Sequence, residues 1–145
     1  MLSQEAVRLG LRARDRTHAI DQAGEVLVAI GAVESAYVDA MHEREALLSS
    51  FVGEGFALPH GTDESRRYIT RPALAFLQFP EGVEWEGETV RACIAIAARA
   101  NEQTGVLAHL AGVLLDGDKA ELLRSTDRPD DVLSLLEPER TGSGR

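Results

Sequence analysis

The chain has 145 residues, 44% of them hydrophobic and 27% charged, and its 15 Lys+Arg against 24 Asp+Glu leave a formal net charge of −9. That size predicts a single domain able to bury its own core without a disulfide or structural metal, and the acidic balance excludes the basic footprint that nucleic-acid phosphates demand. No apolar run approaches the ~18 residues of a membrane span, Met1 to Glu5 lacks the regions of a secretory leader, and Cys93 has no disulfide partner. A cytoplasmic protein without direct membrane insertion is therefore expected.

Residues 7–11 read as a short strand. Ala19, Ile20, Ala23, Val26, Leu27 and Ile30 then recur at helical spacing, with Asp15 or Thr17 as the cap and Gly31 as the stop. A second helix is predicted over 35–48, through Tyr37, Ala40, Met41, Leu47 and Leu48. Residues 56–58 form a short strand that Pro59 must stop or bend. The runs 73–79 and 90–97 are apolar on both alternating faces, as strands covered on both sides are, and Pro80-Glu81-Gly82 breaks the chain between them. Helices over 103–115, 119–125 and from Pro129 through Leu136 close the domain, assigned to 1–137, with a polar, flexible tail at 138–145. The order β-α-α-β-β-β-α-α-α, with helices for both faces of the strands, predicts an α+β three-layer α/β/α sandwich.

Four histidines are candidates for chemistry, and His60 has the richest surroundings: Gly53-Glu54-Gly55-Phe56-Ala57-Leu58-Pro59-His60-Gly61-Thr62. It follows a strand tip, Pro59 fixes its approach, Gly61 relieves crowding, and Thr62 with nearby backbone N–H groups can gather round an anion. A neutral imidazole there can attack phosphorus and leave again; a turn histidine bonding its own backbone is the alternative. Arg44 falls within the apolar stripe of the second helix, where a guanidinium wants an oxyanion, unless it snorkels to the rim or pairs with Glu43 or Glu45. Gln103 opens the next helix, where free N–H groups and the dipole favour anions and its amide can donate to a phosphoryl oxygen; a plain polar helix start is the other reading. His109, further along that helix, points away to a surface or boundary position, and His18 and His42 fall on solvated faces. No pair has metal-ligand spacing, and P-loop, GxSxG, CxxC and Rossmann patterns are missing, so neither metal nor organic cofactor is expected.

The segment Tyr37-Val38-Asp39-Ala40-Met41-His42-Glu43-Arg44-Glu45, followed by Gly53 to Thr62, resembles the mannitol/fructose class of enzyme IIA of the bacterial sugar phosphotransferase system. Phe79-Pro80-Glu81-Gly82-Val83, and Ile94 to Ala98 with Asn101-Glu102, extend the resemblance, which spans about 19–136 and lies nearest the mannitol branch. It implies a mixed sheet between helix layers. It also implies that His60 accepts a phosphoryl group from phospho-HPr and passes it to the cysteine of a cognate IIB domain, which serves a membrane IIC component in sugar uptake. Arg44 matches the family arginine beside the active histidine. Gln103 stands where the family usually has a second histidine, leaving a neutral donor in place of a charged one. The catalytic set so read is His60, Arg44 and Gln103, with Thr62 and Gly61 binding the phosphoryl group and Phe56, Met41 and Phe51 offered to partners. A regulatory module of the same class, binding partners by phosphorylation state without feeding transport, is the alternative.

Overall fold

The computed structural model describes residues 2–136, with Ala100 and Asn101 described by their backbone alone. The tail expected at 138–145 lies outside the described residues. Five strands form a mixed sheet in the order β1-β4-β5-β3-β2: β1 (Val7–Arg8), β2 (Phe51–Gly53), β3 (Phe56–Ala57), β4 (Ala73–Trp85) and β5 (Glu88–Ala97). β1 runs parallel to β4, β4 antiparallel to β5, β5 parallel to β3, and β3 antiparallel to β2. Helices α1 (Arg16–Ala29) and α2 (Ala36–Leu47) precede the inner strands, and α3 (Ala100–Leu114), α4 (Gly117–Ser125) and α5 (Pro129–Leu136) follow them.

Strand alternation sorts these helices into two layers. From β4, Leu77 points towards Val26 and Ala29 of α1, while Leu74 points towards Val106 and Leu110 of α3 and Leu136 of α5. The opposed pairs Leu74↔Ile96 and Phe76↔Ile94 face one layer, and Leu77↔Cys93 faces the other. All six side chains are buried. The α/β/α sandwich is thus observed, and the doubly apolar strands are what a sheet covered on both faces requires.

The predicted caps and stops are partly realised. The Asp15 carboxylate accepts from the His18 N–H at 2.8 Å, capping α1, and Gly31, at φ +78, follows its last turn. Three expectations need correction. Pro80-Glu81-Gly82 does not break the chain: β4 runs through it as an irregularity between Gln78 and Val83, because the Arg91 guanidinium holds the Pro80 carbonyl at 2.8 Å. The reversal comes later, at Glu86 and Gly87, whose φ values of 52 and 88 suit a tight hairpin. β2 was not anticipated, and β1 ends at Arg8 rather than at residue 11.

The third correction concerns the stripe of α2. Its buried residues are Tyr37, Ala40, Met41 and Glu45, whereas Leu47 and Leu48 are 79% and 66% exposed. The helix ends there, with Leu48 already extended at φ −162. Glu45 takes the inward position because three donors meet it: Ser50 N–H at 3.0 Å, Ser50 Oγ at 2.6 Å and Trp85 Nε1 at 2.9 Å. At 4% exposure that carboxylate ties the end of α2 to β2 and to the β4–β5 hairpin. Glu45→Ala strands all three donors, so urea unfolding should show a loss of about 2–4 kcal/mol, with Glu45→Gln losing less.

Candidate functional site

β3 ends at Ala57, and the chain continues beside β5 until His60 pairs with Ile96, whose N–H donates to the Pro59 carbonyl at 2.9 Å. Tyr37 of α2 secures this extension from below. Its buried hydroxyl donates to the Ile96 carbonyl at 2.9 Å and accepts the Gly61 N–H at 2.9 Å. Burial pushes the phenol above its ordinary pKa, although Gly61 and Arg66 act against it, so the hydroxyl keeps the proton it donates. A Cβ at Gly61 would lie 2.7 Å from the Tyr37 ring and would press on Ser65 as well. The glycine therefore serves a close approach to Tyr37 and Ser65 rather than space around the imidazole. Its N–H, expected to meet an anion, is committed to Tyr37.

His60 is half-buried, with Nδ1 2.9 Å from the Leu58 carbonyl. A carbonyl only accepts, so Nδ1 carries the hydrogen and the lone pair lies on Nε2. Burial lowers the His60 pKa, and the Arg44 and Arg66 charges lower it further; the Leu58 bond and Glu45 act in the opposite sense. The net direction is down, so the ring is a neutral base at pH 7. The imidazole is the turn histidine of the alternative reading and a tautomer with a free Nε2 at once.

His60, Gly61, Thr62, Arg66, Ala98 and Gln103 line one narrow cleft. Arg66 lies on a 3₁₀ turn, Glu64–Tyr68, and Gln103 on the first turn of α3. The Arg66 guanidinium donates to Gln103 Oε1 at 2.7 Å. The Arg99 guanidinium donates to the Ile69 carbonyl at 2.9 Å, fastening the start of α3 to the end of that turn. Sequence reasoning missed Arg66. The only signal was the Arg66-Arg67 pair close behind Thr62, and nothing in it tells which turns inward; Arg67 instead lies over Tyr68, 5.0 Å from the ring centre.

Arg44 lies on the buried stripe of α2, three, four and seven residues after Met41, Ala40 and Tyr37, as the spacing predicts. It is half-buried at the helix end, where it donates to the Leu48 carbonyl at 2.6 Å while its charge still reaches His60. Phe56 and Met41, offered as partner-facing residues, are fully buried in the core, and Phe51 is half-buried. The apolar side chains exposed beside Arg44 and on the outer strand β2 are Leu47, Leu48 and the 52%-exposed Val52. His42 donates from Nε2 to Asp21 at 2.7 Å, joining α1 to α2 rather than facing solvent alone. His109 lies apart from the cleft, as expected, in an apolar cavity with Leu74, Leu110 and Leu136. Among the described residues no group of three His, Cys, Asp or Glu side chains converges on a metal position, and no helix is long and apolar enough to cross a membrane.

Residues 1–138 match the family described as phosphoenolpyruvate-dependent sugar phosphotransferase system, EIIA 2. The chain belongs to that family. As a IIA component it is a phosphotransferase of the sugar phosphotransferase system. It is 40% identical over 137 residues to the mannitol-specific phosphotransferase enzyme IIA component of Staphylococcus aureus, covering 94% of this chain and 95% of that protein. It is 39% identical over 140 residues to the multiphosphoryl transfer protein of Xanthomonas campestris, of whose length it spans only 17%. Its fold matches enzyme IIA-mannitol in a complex with phosphorylated enzyme IIB-mannitol from Escherichia coli, with TM-score 0.87, 38% identity and 100% of each chain covered.

The buried, cation-flanked imidazole makes a pH prediction. The folded His60 has the lower pKa, so the unfolded chain binds its proton first as pH falls below 6.5. NMR titration should find the His60 midpoint below 6.5, with this group's contribution to stability present above that pH and lost as pH falls through the interval. A midpoint above 6.5 would mean that the Leu58 carbonyl and Glu45 prevail.

Proposed function

We propose that the protein is a phosphocarrier whose His60 takes a phosphoryl group from phospho-HPr and hands it to the cysteine of a mannitol-type IIB domain. The observation that carries this reading is the Nδ1–H bond to Leu58, which leaves Nε2 as an unprotonated nucleophile in a cleft lined by Arg66 and within the field of Arg44. In the forward step the Nε2 lone pair forms a bond to phosphorus while the donor's N–P bond breaks, and that electron pair returns to the donor imidazole. His60 keeps its Nδ1 hydrogen throughout, so no general base is required. In the second step a cysteine thiolate forms the S–P bond, and the His60 N–P electrons return to the ring.

Little covalent work falls to the protein beyond position and charge. Arg44 balances phosphoryl charge from the end of α2, Gln103 supplies an amide donor, and Thr62 a hydroxyl. Leu47, Leu48 and Val52 give the partner an apolar surface beside the site, since two active centres must meet with water excluded. The Escherichia coli complex supports a IIB partner, and the Staphylococcus aureus relative supports mannitol-type sugar. A cytoplasmic site of action serving a membrane IIC component is the matching setting.

Incubation with phosphoenolpyruvate, enzyme I and HPr should label the wild type with an acid-labile phosphoryl group, and His60→Ala should take none while His109→Ala keeps it. Label that survives His60→Ala contradicts the assignment. Onward transfer to a IIB cysteine separates a transport carrier from a regulatory module.

A further inference from the structure

Arg66 differs from Arg44 in lining the cleft itself, where it is half-buried and bonded to a side chain of the opposite wall. It lines the same cleft as His60, Gly61, Thr62 and Gln103. Its two protein contacts among the described residues both use Nη2: Gln103 Oε1 at 2.7 Å and Asp63 Oδ1 at 3.2 Å. Asp63 is exposed and screened by water, so that ion pair holds Arg66 only weakly. Nη1 and Nε keep their hydrogens for another acceptor. Arg44, the other cation, approaches from α2, with one Nη already given to the Leu48 carbonyl.

The Arg66–Gln103 contact has a consequence for both partners. A guanidinium only donates, so it holds the Gln103 amide with its oxygen towards Arg66 and its NH₂ turned elsewhere. Without Arg66 the amide is free to flip and to present an oxygen, which would repel a phosphoryl group. In return, Gln103 fixes a long side chain whose rotamer freedom would otherwise be lost only on binding.

We propose that Arg66 is the second phosphoryl-binding cation of the site, held by Gln103 and contacting phosphoryl oxygens on His60 through its unused Nη1 and Nε donors. This rests on the carrier reading of His60. Gln103 then acts chiefly as a positioning residue, and the charged donor of this wall of the cleft comes from the 3₁₀ turn rather than from α3. The downward pull of Arg66 on the His60 pKa accords with the placement.

Three variants test it: Arg66→Gln, which keeps a polar side chain but no charge, Arg66→Lys, and Gln103→Ala. Each is checked for folding by circular dichroism. With phospho-HPr as donor, Arg66→Gln should slow phosphorylation roughly ten- to a hundredfold, as loss of a charge-assisted bond does. Arg66→Lys should recover part of the rate, and Gln103→Ala should fall between it and wild type. In the unphosphorylated protein the His60 NMR midpoint should rise in Arg66→Gln and return towards wild type in Arg66→Lys, which a purely structural role would not produce. Wild-type transfer in Arg66→Gln with label still on His60 overturns the proposal and leaves the carrier reading standing. Failure of the wild type itself to take label overturns the carrier reading, and this proposal with it.

Discussion

A single buried hydroxyl joins the parts of this molecule that chemistry needs to hold together. Tyr37 donates to a carbonyl of β5 and accepts an amide from the residue after His60, so α2, the central sheet and the loop meet at one oxygen. The geometry tolerates no side chain at residue 61 and depends on the phenol staying protonated, which its burial ensures. Because the same helix carries Arg44 at its other end, the clamp also sets where that cation stands relative to the imidazole.

The electrostatics around His60 follow from that placement. An imidazole taken partly out of water and set near two guanidinium groups is held neutral, and the Leu58 carbonyl decides which nitrogen keeps the hydrogen. The same cations that disfavour the imidazolium favour a dianionic phosphoryl group on the ring. In the proposed carrier role, the charge arrangement thus serves the resting base and the phosphorylated ring alike. Glu45 steadies the arrangement from behind by fixing the end of α2 to Ser50 and Trp85.

Much of this was legible in the residues, for reasons that differ from element to element. The doubly apolar runs of β4 and β5 announced a covered sheet, and the caps of α1 were readable because Asp15 and Gly31 act locally. The Leu-Pro-His-Gly-Thr block singled out His60 because Pro59 before it and Gly61 after it constrain the backbone there. What escaped were features set by distant partners. Glu45 reads as a solvated helix acid until Trp85 and Ser50 are known to meet it, which is why a stripe read from spacing extends wrongly to Leu47 and Leu48. Pro80 reads as a breaker because the Arg91 bond that carries the strand past it comes from another strand. Three-residue β2 has no period to detect, and Arg66 is indistinguishable from Arg67 until the 3₁₀ turn faces one of them towards Gln103.

The claim on which everything else hangs is that His60 rests as the Nδ1–H tautomer and reacts through Nε2. Long-range proton–nitrogen correlation on ¹⁵N-labelled protein, before and after reaction with phospho-HPr, reads this directly. The resting ring should show a protonated Nδ1 and a bare Nε2, and phosphorus should afterwards couple to Nε2 with the Nδ1 hydrogen retained. A resting Nε2–H tautomer, or phosphorus on Nδ1, would contradict it.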